Sequence, residues 1–181
     1  GWPENQEKNA LGEQRLREKM LNHEVESVRG SARETLANFY RVQGLYEESN
    51  AIYDSYIEIY PNDPIRTQLE FAQVLNIFMS GDQEEAIQQA ALVEESILEE
   101  IESSEDDDQK FQLFRVLAKN YEQMGEYETA EKYYKRAMGV KTQSIEALRL
   151  QFESAQMYLT AGYRTLEDEL FQRGIDILEQ I

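Results

Sequence analysis

Chemistry in this chain would have to be carried by carboxylates. His23 is the only histidine and there is no cysteine, whereas Asp and Glu together number 36. A single histidine rules out a histidine-pair metal site and a two-histidine relay. Without thiols there is no disulfide, thiolate ligand or cysteine nucleophile. Hydrolysis by paired carboxylates needs two of them held at a set separation, and no spacing here fixes such a pair. The densest run, Asp106-Asp107-Asp108, offers oxygen to calcium but lacks the alternating ligands and turn glycine of a helix-loop-helix site. A phosphate-cradling glycine loop and a nucleophile elbow are also missing. The expectation is a non-enzymatic chain with no catalytic residue, metal site or cofactor, which acts through its surface.

That surface is unevenly charged. Of the formal net charge of -18, residues 1–41 contribute seven acidic and seven basic side chains, residues 110–181 eleven and ten, and residues 42–109 eighteen against Arg66 alone. Such a field in the middle of the chain repels phosphate backbones and anionic headgroups. It argues against nucleic acid and membrane surfaces as partners and favours a protein or peptide with a basic surface; the alternative is a merely solvating acidic face. No stretch nears the roughly 18 apolar residues of a membrane span, so no direct membrane insertion is expected and the segment should be soluble. The compartment stays open. The chain opens Gly1-Trp2-Pro3, which leaves room for a longer or anchored parent protein.

The elements that carry this surface are read from glycines. Gly44, Gly81, Gly125 and Gly162 lie 37, 44 and 37 residues apart, so that Gly44 to Gly125 and Gly81 to Gly162 are both 81 residues. Each is expected where one run of helical apolar spacing ends and the next begins, which predicts an array of helical hairpins with a pair of hairpins as the larger unit. The composition forms helices and no sheet is expected. The predicted hairpins span about 30–62, 64–101, 110–143 and 145–181, preceded by a half-hairpin or capping helix over 1–29 in which Leu11-Gly12-Glu13 resembles a turn. Tyr60-Pro61-Asn62-Asp63-Pro64 stops the first hairpin, because proline cannot continue a helix. The acidic run from Ile101 to Gln109 predicts an exposed, mobile loop.

Two segments resemble the tetratricopeptide repeat (TPR). Leu36, Ala37, Tyr40, Gly44, Tyr46, Ser49, Tyr53 and Pro61 fall at its leucine, small, aromatic, glycine and proline places, with Arg33 and Tyr56 departing from the pattern. Phe114, Leu117, Ala118, Tyr121, Gly125, Tyr127, Ala130, Tyr134 and Ala137 match better, and Thr142 replaces only the closing proline. The second and fourth hairpins are degenerate matches; a shift of 81 residues places Phe71 on Phe152, Val74 on Ala155 and Phe78 on Leu159. The resemblance implies an all-α fold, a right-handed α-solenoid of TPR-like hairpins, and the role of a scaffold or adaptor that binds a partner's peptide or helix within a larger assembly.

It also implies a groove lined by the first helix of each hairpin. Ser31, Glu34, Asn38 and Arg41 would face it in the first hairpin, and Gln112, Arg115, Lys119 and Glu122 in the third. Glu34 stands where chaperone-tail binders carry a lysine, which argues against that ligand. Transferred to the degenerate repeats, the pattern adds Phe71, Leu75, Phe78, Phe152 and Leu159 as an apolar slot, although the same spacing fits a packing face. The candidate partner-binding residues are therefore Asn38, Arg41, Phe71, Leu75, Phe78, Arg115, Lys119 and Phe152. In the second hairpin, Ala86, Ala90, Val93, Ile97 and Ile101 form a seam beside Glu95, Glu99 and Glu102. The alternative function is a self-assembling structural fragment of a longer array, a homo-oligomer whose apolar end residues Ile175, Ile177, Leu178 and Ile181 meet more of the same protein.

Overall fold

The computed structural model describes residues 2–61, 63, 65–142 and 144–180, with side chains described for 8–25 and from 28 onward. Asn62, Pro64 and Ile181, which the proline stop and the apolar end invoke, lie outside the described residues. Among the described residues there are nine helices and no strand: α1 (Trp2–Asn22), α2 (Glu26–Val42), α3 (Tyr46–Ile59), α4 (Arg66–Ser80), α5 (Gln83–Ser103), α6 (Asp107–Gln123), α7 (Tyr127–Val140), α8 (Ile145–Thr165) and α9 (Asp168–Leu178). They form two compact units, Gly1–Val93 and Glu94–Ile181, with the division inside α5.

In the first unit α1 packs on α2, α2 on α3 and α3 on α4. Leu36 and Ala37 of α2 are fully buried, as is Ser49 of α3, and Tyr53 and Leu69 join them in the core. Small residues let the helices approach while aromatic rings fill the gaps. Tyr56 is the bulky exception, and its ring packs beside Gly30, where a Cβ would sit in ordinary contact at 3.5 Å. Tyr40 is buried and fastens α1 to α2, donating to Glu13 Oε1 at 2.6 Å and accepting from Arg17. Hydrogen bonds from Tyr40 and Arg17 hold the Glu13 carboxyl below the usual carboxylate range. The opening segment is one helix, so Gly12 lies in its interior and not at a turn.

Gly44 and Gly125 end α2 and α6 by the same device. Gly44 has φ +77° and Gly125 φ +79°. The following amides reach back to the last turn, Leu45 N to Tyr40 O at 3.0 Å and Glu126 N to Tyr121 O at 2.9 Å, closing carbonyls that would otherwise be orphaned. Gly81 closes α4 with φ +105°.

Gly162 breaks the expected pattern. It sits inside α8, which continues to Thr165 and turns at Leu166 with φ 60°. A Cβ at Gly162 would stand 2.6 Å from the backbone nitrogen of Phe171, so this glycine serves close approach of α9 instead of a turn. Gly174 of α9 answers it, since a Cβ there would meet Leu159 at 2.7 Å.

The second unit contains the rest of α5 and α6 to α9, with α6 on α7, α7 on α8 and α8 on α9. Phe114, Leu117, Ala118, Tyr121, Ala130, Tyr134 and Ala137 are all buried. The expected loop at 101–109 is corrected: α5 runs to Ser103 and α6 starts at Asp107. The acidic run forms a helix start, because Asp106 accepts hydrogen bonds from Asp108 N at 2.8 Å and Gln109 N at 3.3 Å, and Asp107 and Asp108 place negative charge at the positive end of the helix dipole.

Candidate interaction surface

The second unit joins α6 and α8 through a charged ladder. Arg115 and Lys119, one turn apart on α6, both reach Glu153 of α8: Arg115 Nη2 lies 3.6 Å from Oε1 and Lys119 Nζ 3.4 Å from Oε2. Lys119 also donates to Glu122 Oε2 at 3.1 Å, and the same oxygen accepts from the Tyr134 hydroxyl at 2.6 Å. The Lys119 ammonium stands 5.5 Å from the centre of the Tyr134 ring, a distance at which the ring face attracts a cation. Burial, and then the bond to Glu122, raises the Tyr134 phenol. Both cations remain partly exposed, with side-chain exposure of 41% for Arg115 and 39% for Lys119. The ladder is thus preordered by protein carboxylates yet reachable from solvent.

Further carboxylate-phenol bonds tie the helices of the second unit together. Glu94 accepts from both Tyr121 and Tyr133, whose rings stack 5.9 Å apart. Tyr158 donates to Glu131 at 2.9 Å, and Glu131 also binds Lys135 at 2.7 Å and Arg173 at 2.8 Å. Burial pushes the Glu131 carboxyl up, but hydrogen bonds from Lys135, Arg173 and Tyr158 outweigh it and leave the group below the usual range. Each of these phenols donates to a carboxylate oxygen, a stronger kind of hydrogen bond than one between neutral groups.

Asn38 and Arg41 are half-buried on α2, with Arg41 Nη2 donating to Asn38 Oδ1 at 3.1 Å. Ser31, Glu34 and Gln112 are exposed. The apolar slot is corrected for its first two members: Phe71 is fully buried and Leu75 nearly so, because that side of α4 is core, as the packing alternative held. Phe78 is half-buried, and Phe152 is exposed on α8. Arg33, which replaces the usual large apolar residue, is buried with its guanidinium 5.7 Å from the Tyr60 ring centre and no acceptor for Nε or Nη1. Burial, reinforced by Arg29, lowers its pKa.

Glu153, Glu94 and Glu131 escape the sequence reading. Long-range acceptors leave no periodic trace. Among the described residues no group of three or more His, Cys, Asp or Glu could hold a metal ion, and no helix is long and apolar enough to cross a membrane.

No family model matches the sequence, and no curated protein matches it significantly. Solved structures do. A protein from Podosopora anserina described as a putative kinesin light chain with nearly identical TPR-like repeats aligns at TM-score 0.52 and 21% identity, covering 97% of this chain and 87% of its own. A variant of that protein aligns at TM-score 0.53 and 20% identity with the same coverage. Together with consecutive helices packed in pairs and the left-handed glycine turns at Gly44 and Gly125, these alignments establish that the fold is the TPR-like helical repeat, of the all-α solenoid class.

Proposed function

We propose that this chain is a non-enzymatic protein-interaction module that holds a peptide or helix of a partner protein within a larger assembly. The ladder of Arg115, Lys119 and Glu153 is the observation that carries this reading. It presents two partly exposed cations whose geometry is set in advance, so a partner that brings carbonyl or carboxylate oxygen loses little side-chain entropy on binding. The exposed acidic residues Glu95, Glu99 and Glu102 on α5 favour a partner that also carries basic residues, and attraction of that kind raises the association rate more than the affinity.

The test is charge reversal at Arg115 and Lys119, with affinity measured for a partner isolated by capture on the unaltered chain. The expected loss is at least about tenfold, equivalent to about 1.4 kcal/mol. An unchanged dissociation constant would move the contact away from α6.

A further inference from the structure

The second unit leaves an apolar stripe uncovered along α8. Ile145, Leu148, Phe152 and Tyr163 are 78%, 52%, 57% and 78% exposed. They lie three, four and eleven residues apart, close to whole turns at roughly 3.6 residues each, so they share one face of a helix about 30 Å long. Glu153, which makes the ladder, projects about 100° around the helix from Phe152, so the stripe and the ladder are different surfaces. Scattered apolar residues need no explanation on a protein surface, whereas an aligned row of large ones marks a contact face.

We propose that this face binds the same face of a second copy, with two α8 helices antiparallel about a two-fold axis. Three observations select this occupant. A face of this register is already covered elsewhere in the chain, since Phe71, the counterpart of Phe152 at a distance of 81 residues, is fully buried. Charge permits the contact: α8 carries Glu146 and Glu153 against Arg149 and Arg164 and is neutral, in a chain whose net charge is -18. The register is also self-complementary. Pairing Phe152 of one copy with Gln156 of the other brings Ile145 opposite Tyr163. Glu146 and Arg164, eighteen residues or about five turns apart, lie on one flank of α8, and an antiparallel two-fold contact sets like flanks together, so Glu146 of each copy meets Arg164 of the other.

Sedimentation equilibrium over a range of concentrations tests the proposal. The mass should rise from 21.2 kDa towards twice that value. Phe152→Glu, at an exposed position where folding is not at stake, should raise the dimer dissociation constant more than tenfold with an unchanged helical spectrum. Glu146→Arg should weaken the dimer, and adding Arg164→Glu should restore it. The absence of native cysteine allows a direct readout: Gln156→Cys should be joined into dimers by a short bis-maleimide, and Gln88→Cys on α5 should not. A chain that stays monomeric at every concentration overturns the proposal. So does a dimer that is indifferent to Phe152→Glu and is not captured through position 156. Charge reversal at Arg115 and Lys119 should leave the mass unaltered, which separates this contact from the partner site above.

Discussion

Helices α4 and α8 occupy equivalent places 81 residues apart and have opposite fates. In α4, Phe71 is buried and Gly81 ends the helix with φ +105°; in α8, Phe152 is exposed and Gly162 lies in the interior, packed against Phe171. The difference begins with the residue after each glycine. Asp82 starts α5, its side chain accepting from Glu85 N at 3.1 Å, so chain reversal at Gly81 is rewarded with a capped helix. Tyr163 follows Gly162 and cannot cap, and α8 continues until Leu166. A shared apolar register therefore fixes which residues align, while the cap decides where the helix stops.

This comparison can be broken by substitution. Phe71→Ala should destabilise the protein by about 3 to 5 kcal/mol, the cost of emptying a fully packed aromatic site, whereas Phe152→Ala should stay within about 0.5 kcal/mol. Urea unfolding, at a concentration low enough to keep the chain monomeric, measures both. Equal effects would mean that the two faces are covered alike.

The glycines supply the next largest contrast. Gly162→Ala forces a methyl group against the α9 backbone and should cost up to about 3 kcal/mol by overpacking. Gly81→Ala meets no atom within 4 Å and should cost only the left-handed backbone penalty, about 1 to 2 kcal/mol. Asparagine, which tolerates that backbone, should recover part of the loss at position 81 and none at position 162.

A further effect is alkaline and sharpens the contrast between the units. Burial and hydrogen bonding to Asp63 push Tyr56 of the first unit up to about 12. Tyr121, Tyr133, Tyr134 and Tyr158 of the second unit are raised first by burial and then by their carboxylate partners. A raised phenol keeps its proton in the folded chain, while the unfolded chain releases it near pH 10. The associated stability is thus full below about pH 10 and is lost as pH climbs towards the folded values. Circular dichroism between neutral pH and pH 12 should show progressive loss of stability above pH 10, and Tyr121→Phe with Tyr133→Phe should make that loss shallower.

Much of the repeat was legible because its signals are local. Tyr40, Gly44, Tyr121 and Gly125 each sit where steric size or backbone freedom leaves one role, and apolar spacing exposes them. Gly162 misled because a glycine in a helix interior and one at a turn look the same without the capping residue that follows. The run from Ile101 to Gln109 misled for a related reason: like charges suggest one long loop, yet the dipole of α6 turns Asp107 and Asp108 into a helix start and only Ser104 to Asp106 stay outside a helix. In the interaction surface, Arg115 and Lys119 were visible as one face of a helix, but Glu153 was not, because its ion pairs depend on how α8 lies beside α6. Phe71 and Phe152 shared one signal, and only packing separates them.

The two phenols that share Glu94 bear on how the protein can be dissected. Tyr121 and Tyr133 both donate to a carboxylate at the very start of the second unit, midway along α5. A fragment beginning after that residue would deprive both hydroxyls of this acceptor, with a penalty of up to about 1 to 3 kcal/mol for each that stays shielded from water. Any expression boundary for the second unit therefore belongs upstream of Glu94, a turn or more inside α5.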